Sequence, residues 1–362
     1  KQFNLIIIPK KILFFLVVVI RKLKFIEKAV ISDDVRIIIF NNFFKLLMKI
    51  ILKPEIKHIT ESLDLFPIIR NGFIAYSEGK SVVPPVGELS FKNPPGDVHI
   101  KYGYITGDKY YVIKIASGFH QNEKLGLSNG SGLMLLFDQK TGQNVALLSD
   151  EAYLTDVRTA VAGAICAKQF ANEIHCIGVI GTGLQARMQV EYLKKITACR
   201  KVMVWGRNTE KSEEYSSYMM NLGFKVGICD SPKHVTDTCN LIITTTAATE
   251  PILFADDIQP GTHITAMGSD TPVKQELDPN IMEKADCVVA DSISQCIDRG
   301  EISHALKNGK LTKNNIIELG HVMNSQHPGR TAQDQITVAD LTGVAVQDIQ
   351  IATAVYESFM EN

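Results

Sequence analysis

The stretch Ile177 to Glu191, IGVIGTGLQARMQVE, is the one on which the fold turns. A mostly apolar run, Ile177 to Ile180, enters Gly181-Thr182-Gly183, and a helical pattern opens at Ala186. In a strand–turn–helix unit the first two glycines allow a tight turn and close approach of the backbone to a pyrophosphate. A small third residue lets helix and strand pack. The helix N-terminus then offers unpaired N–H groups and the positive end of its dipole. A plain tight turn gives the same letters, so the flanking pattern carries the argument.

Downstream, strands and helices alternate. The expected strands are Lys201 to Trp205, Lys225 to Cys229, Leu241 to Thr245, His263 to Met267 and Cys287 to Ala290, with a helix over Thr209 to Asn221 and another starting at Ser231-Pro232. Such alternation predicts a parallel, doubly wound sheet, and the glycine turn falls at its first strand–helix junction. Immediately upstream, Leu154, Val157, Val161 and Ile165 repeat at helical spacing with small alanines between them. Further upstream the pattern differs. A strand at Ile50 to Leu52, broken at Pro54, and a helix over Leu65 to Tyr76 precede five short strands. These are Ser81 to Val86, Val98 to Tyr104, Tyr110 to Ile115, Gly132 to Phe137 and Asn144 to Leu148, separated by turn residues. This part reads as an α+β domain. The last stretch, Ile336 to Phe359, reads as one long amphipathic pattern expected to return and pack on it.

The chain has 362 residues, enough for two domains, and 38 Lys plus Arg against 39 Asp plus Glu. That balance gives no reason to expect a nucleic-acid partner. Seven cysteines without a CxxC pair read as reduced thiols and point to a cytoplasmic location, and the nine histidines show no metal spacing. Residues 1–47 differ from the rest, mixing Lys and Arg with apolar residues around the nine-residue run Ile12 to Ile20. That run is short of the roughly 20 residues a bilayer span needs, so no membrane is expected for the core. Two readings stay open for this segment: an upstream extension before a domain start at Met48, or a targeting segment.

Four residues stand out chemically. The strand after the first nucleotide-binding helix ends Trp205-Gly206-Arg207-Asn208, where an acid would bind the adenosine ribose hydroxyls and an Arg would accommodate a 2′-phosphate. Arg207 therefore favours NADP over NAD, the alternative being a surface Arg stacked on adenine. Lys114 interrupts the apolar strand YYVIKIA, where it serves either as a desolvated carboxylate-binding lysine or as an edge-strand charge that blocks aggregation. Arg158 falls in the first turn of a helix capped by Thr155 or Asp156, either beside a substrate carboxylate or in a salt bridge to Asp156 or Glu151. Asp270 follows the strand His263 to Met267, at the end where ligands of such sheets bind, although Asp270-Thr271-Pro272 is also a common turn.

Lys114 in YYVIKIASGFHQN, Arg158 in LTDVRTAVAGAICAK, the turn VIGTGLQARMQ, Asp270 in AMGSDTPVKQEL and the tail DLTGVAVQDIQIA together resemble the ornithine cyclodeaminase and mu-crystallin family, from about Met48 onward. The resemblance implies a Rossmann-type doubly wound parallel sheet over residues 159–322. It also implies a discontinuous α+β substrate-binding and dimerisation domain over 48–158 and 323–362, completed by the C-terminal helix, and a homodimer. It implies that Lys114 and Arg158 hold a substrate carboxylate and that Asp270 is the acid/base beside the amine, making Lys114 and Asp270 the catalytic pair. The cofactor residues become Gly181, Thr182, Gly183, Gln185 and Ala186, with Thr159 before the turn and Arg207 and Asn208 after the second strand. The family often carries an Arg near VVPPVGELSF; none stands there, and Lys101 is the substitute expected to touch substrate. No metal is expected. These features imply an NAD(P)-dependent oxidoreductase acting on a small α-amino or α-imino acid. The alternatives are an ornithine or lysine cyclodeaminase recycling NAD and a non-enzymatic mu-crystallin-like binding protein.

Overall fold

The computed structural model describes residues 48–119 and 121–361. The two readings of residues 1–47 lie outside the described residues. The first seven strands are β1 (Lys49–Leu52), β2 (Ser81–Val82), β3 (Gly87–Lys92), β4 (Pro95–Ile105), β5 (Tyr110–Gly118), β6 (Gly130–Asp138) and β7 (Asn144–Ser149). They form one mixed sheet in the order β1-β7-β6-β5-β4-β2, with β3 also paired to β4. Only the β1–β7 pair is parallel. Alternation along these strands puts Ile51, Ile105, Val112, Met134, Leu136, Ala146 and Leu148 into one core. Residues of the C-terminal helix, among them Val346, Ile349, Ala352 and Val355, belong to the same core, so this helix completes the first domain as expected.

The second sheet contains β8 (Ile177–Ile180), β9 (Lys201–Trp205), β10 (Lys225–Ile228), β11 (Leu241–Thr244), β13 (His263–Ala266), β15 (Cys287–Ala290), β16 (Ile316–Glu318) and β17 (Thr337–Asp340). Their order is β10-β9-β8-β11-β13-β17-β15-β16, and every pair is parallel. Two further strands, β12 (Thr249–Leu253) and β14 (Gln275–Leu277), pair beside it. β8 is flanked by β9 on one side and β11 on the other. The chain therefore reverses its winding at the glycine turn, the place where open α/β sheets leave a crevice for ligands.

Several local expectations are corrected. The strand before Pro54 ends at Leu52 as expected, but Pro54 also stands in the first turn of an unforeseen helix, Lys53–Ser62, where a proline has no hydrogen bond to lose. The strand expected over Ser81 to Val86 stops at Val82, and Gly87–Lys92 forms a strand of its own. The stretch Ile336 to Phe359 is not one helix. Thr337–Asp340 is a strand in the parallel sheet, Gly343 turns the chain at φ +80°, and the helix is Ala345–Glu361. Residues 323–362 thus give a strand to one sheet and a helix to the other. Lys49 to Asn362 form one compact unit, and no helix among the described residues is long and apolar enough to cross a membrane.

Candidate active site

The glycine turn leaves β8 at Gly181, whose φ of +116° and whose amide hydrogen bond to the Trp205 carbonyl at 2.8 Å fix the bend. A Cβ at Gly181 would sit 2.7 Å from Thr245 Oγ1, so glycine is required there. At Gly183 a Cβ would meet open space, and Gly183 caps the helix Leu184–Leu193 without any side-chain acceptor. The first-turn N–H groups are left for an outside partner, and Thr182 and Gly183 are at least partly exposed. These residues fit the pyrophosphate of a dinucleotide. Ala186 is buried beneath the turn, and the Gln185 amide ties this helix to the preceding one by donating to the Asp156 carbonyl and Oδ1, both at 3.2 Å. The Thr159 carbonyl receives Gln189 Nε2 at 3.1 Å. At the end of β9, Arg207 is exposed and makes no ion pair among the described residues. Asn208 Oδ1 caps the next helix by accepting from the Lys211 amide at 2.9 Å.

A second group of charges lies on the first sheet. Lys101 and Lys114 face each other directly across β4 and β5 on the inward side, a like-charge pairing that costs stability unless something offsets it. β5 is an interior strand, so the edge-strand reading of Lys114 fails. Arg158 comes from the helix Tyr153–Phe170, in its second turn rather than its first. That helix begins earlier than expected, at the left-handed Ala152, with Asp150 Oδ2 accepting from the Leu154 amide at 2.8 Å. The offset is Asp348 of the C-terminal helix. Its Oδ1 lies 3.1 Å from Arg158 Nε and its Oδ2 3.2 Å from Lys114 Nζ. Arg158 therefore pairs with Asp348, not with Asp156 or Glu151; Glu151 pairs with Lys53 at 2.8 Å. All four groups are buried, Lys101 being the most exposed at 8%.

Lys101 Nζ donates to two main-chain carbonyls, Thr342 at 3.0 Å and Gly343 at 2.6 Å, and has no carboxylate within ion-pair distance among the described residues. Burial, then the nearby Lys114 and Arg158, push it down to about 7. Burial also pushes Lys114 down, to about 8; Asp348 opposes that shift and Arg158 adds to it. Burial alone would raise the Asp348 carboxyl, but Arg158, Lys114 and Lys101 together hold it below the ordinary range. Gly343 is pressed against this group: a Cβ there would lie 2.5 Å from Arg158 Nη1 and 3.1 Å from Lys101 Nζ. Three buried cations converge with one directly paired carboxylate, which is chemistry suited to receiving an anion.

Asp270 lies on the loop after β13, at the carboxyl edge of the parallel sheet. It is not simply a turn residue. Its Oδ1 pairs with Lys274 Nζ at 2.7 Å, and its main-chain carbonyl accepts from Arg299 Nη1 at 3.3 Å. Burial pulls the Asp270 carboxyl up, but Lys274, Lys101 and His99 outweigh it and leave it below the ordinary range. Lys101 and His99 of β4 are thus near enough to Asp270 to act on it electrostatically. Arg299 also reaches over to Glu88 of β3, Nη2 to Oε2 at 3.5 Å.

The sequence profile of the ornithine cyclodeaminase/mu-crystallin family matches residues 48–362. The chain belongs to this family. Among its relatives, an uncharacterised cyclodeaminase of Sinorhizobium fredii is 38% identical over 315 residues, covering 86% of this chain and 95% of the relative. Among solved structures, an archaeal alanine dehydrogenase dimer with bound NAD is similar at TM-score 0.79 and 29% identity, covering 87% of this chain and 96% of that one. Thermococcus litoralis Δ1-pyrroline-2-carboxylate reductase, in complex with NADH and L-proline, is similar at TM-score 0.81 and 25% identity, covering 87% and 98%.

Within this family member the sequence reading missed Asp348, Lys274 and Arg299. Asp348 left a signal: Ala345, Asp348, Ala352 and Val355 share one helical stripe, so a carboxylate lay on the apolar face. Lys274 stands four residues after Asp270, but nothing in a loop sequence marks that spacing as a contact. Arg299 precedes a short helix and shows no pattern at all.

Proposed function

We propose that the chain is an NAD(P)-dependent oxidoreductase of small α-amino or α-imino acids, transferring a hydride to or from the α-carbon. The observation that carries this reading is the buried group Lys101, Lys114, Arg158 and Asp348, with Asp270 near enough to Lys101 for the two to act on each other electrostatically and the uncapped glycine turn at the same carboxyl edge of the parallel sheet as Asp270. The nicotinamide, when bound, supplies or accepts the hydride. Lys114 and Arg158 bind the substrate carboxylate, with Lys101 beside them, and Asp348 aims both cations. Asp270 holds the proton-bearing nitrogen of the amine or imine at its carboxylate. Gly181, Thr182, Gly183, Gln185, Ala186 and Thr159 form the cofactor cradle, and Arg207 with Asn208 meets the adenosine ribose. Arg207, exposed and without an ion pair among the described residues, supports a preference for NADP. Two-point holding of the carboxylate fixes the α-carbon in place, and positioning of this kind supplies much of an enzyme's rate enhancement.

The active form in this proposal is a homodimer in the cytoplasm, its division of labour being the first sheet with the C-terminal helix for substrate and contact, and the parallel sheet for cofactor. The support is the outward face of the first sheet. Tyr102, Ile113, Leu135, Leu147 and Ile50 are register partners in one row across β4, β5, β6, β7 and β1. Their inward neighbours are buried, whereas Ile50 and Tyr102 are exposed and the others half-buried. An apolar row of that length on a sheet face is the composition of a subunit contact.

The decisive assay follows NADPH and NADH oxidation with pyruvate plus amines, cyclic ketimines and iminosuccinate, with ornithine and lysine in parallel. Cofactor oxidation that depends on the imino acid is the expected result. Ammonia release from ornithine without net cofactor change would replace this reading by cyclodeaminase activity.

A further inference from the structure

The segment Gly268 to Glu276 closes on itself. The Gly268 amide donates to Glu276 Oε2 at 2.9 Å, Ser269 Oγ donates to the Lys274 carbonyl, and Lys274 Nζ reaches Asp270 Oδ1 at 2.7 Å. Outside contacts pin the same loop. The buried Glu276 carboxylate accepts from Thr244 Oγ1 at 2.7 Å and from the Thr246 amide, joining the ends of β11 and β13. His304 Nε2 lies 2.9 Å from the Lys274 carbonyl, and Arg299 holds the Asp270 carbonyl. A Cβ at Gly268 would lie 2.2 Å from the Thr246 carbonyl oxygen and 2.5 Å from Glu276 Oε2, so the loop has no slack at its entry.

An i, i+4 lysine–aspartate pair on an open surface contributes little. This one differs because the backbone on both sides of the pair is pinned and the Lys274 side chain is 20% exposed, although the Asp270 side chain is 38% exposed. We propose that Lys274 is a positioning residue for hydride transfer, holding Asp270 ionised and aimed so that its carboxylate receives the substrate nitrogen's proton-bearing side. The proposal rests on the oxidoreductase reading above. Lys274 acts through Asp270 and is not itself asked to touch substrate. The other charged groups bearing on Asp270 are Lys101 and His99 of β4, whose influence is smaller than that of Lys274. Asp97 of β4 bears on Lys274 and, with Asp270, helps hold the ammonium form against the effect of burial. A carboxylate kept ionised in this way accepts the N–H of an amine or iminium; it does not supply the proton that makes the iminium.

The test compares wild type, Lys274→Met, Lys274→Gln and Lys274→Arg, with two readouts. The first is the acid limb of kcat/KM against pH. Loss of an opposite charge this close raises a carboxyl by about one pH unit or more, so the limb moves up in Lys274→Met and Lys274→Gln and stays in place in Lys274→Arg. The second needs no turnover: in protein carrying 13C at the aspartate Cγ, the resonance missing from Asp270→Asn is titrated in each variant. It moves with the limb, and one folded neutral variant suffices. Turnover with an unmoved limb and an unmoved resonance overturns the role of Lys274 alone. A resonance that moves in the neutral variants, when the wild-type protein turns over no amino or imino acid, overturns the oxidoreductase reading and the catalytic role with it.

Discussion

Asp348→Asn tests the clamp most directly. The carboxylate is 1% exposed and holds Arg158 at 3.1 Å and Lys114 at 3.2 Å. The amide keeps the volume, so no cavity forms and the effect is electrostatic. Two charge-assisted bonds at about 1.5–3 kcal/mol each give a loss of roughly 3–6 kcal/mol. Measured losses on breaking a buried pair from one side, about 3–5 kcal/mol, agree. Part of that cost is relieved if Lys114 gives up its proton, which its position near 8 makes easy; the lower end, about 3 kcal/mol, is therefore expected in alkaline buffer. Urea unfolding at two pH values measures it. Turnover falls as well, because Arg158 and Lys114 lose the group that aims them, by roughly 10-fold or more if one charge-assisted contact of about 1.5 kcal/mol is misdirected. A stability loss below about 1 kcal/mol together with unchanged kcat would refute the argument, since a buried pair removed from one side has to show itself.

Three further perturbations address other parts of the molecule. Arg207→Ala should weaken NADPH by about 10-fold or more, the value of one charge-assisted phosphate contact, and leave NADH within a factor of about two; equal effects on both cofactors in steady-state KM would remove Arg207 from the 2′-phosphate. Lys101 is lowered in the folded chain to about 7, so between there and the ordinary lysine value the unfolded chain binds the extra proton and stability rises with pH. The stability of wild type relative to Lys101→Met should therefore climb from pH 7 toward pH 10, by at most about 1.4 kcal/mol per pH unit, and a flat difference in urea titrations would contradict the burial argument. Ile113→Asp with Leu135→Asp puts two charges into the outward row of the first sheet, and light scattering should then report monomer; an unchanged dimer would move the contact elsewhere.

What the sequence revealed depended on how local each determinant was. The strands Lys201–Trp205 and Cys287–Ala290 and the helix Thr209–Asn221 match their expected bounds, because alternation of apolar runs with capped helices fixes them within a few residues. The Ile336 to Phe359 stretch failed for the opposite reason. Val338, Leu341 and Val344 fit a helical stripe, yet Val338 lies in the fully buried strand Thr337–Asp340, and residues 341–344, with the left-handed Gly343 among them, separate that strand from the helix. Lys114, Arg158 and Asp270 were visible as charges out of keeping with their surroundings. Their partners were not: Asp348 lies 190 residues from Arg158, and Lys274, though only four residues from Asp270, stands in a loop where that spacing marks no contact.

That distance also shows that the C-terminal helix supplies a charge partner and not only part of the core. Lys101 and Lys114 are placed by strand register, and Arg158 by the helix behind them, while the carboxylate that pairs with Lys114 and Arg158 comes 190 residues after Arg158. Left alone, three converging cations in an apolar interior repel one another and oppose docking. The C-terminal helix brings Asp348 with its apolar stripe, while the turn ahead of it brings the Thr342 and Gly343 carbonyls to Lys101. The same segment has just left β17, between β13 and β15 of the parallel sheet. In the proposed mechanism the clamp is therefore completed by a stretch of chain that gives a strand to the parallel sheet and a helix to the core of the first sheet, and its cations would share the substrate with Asp270, on the loop after β13.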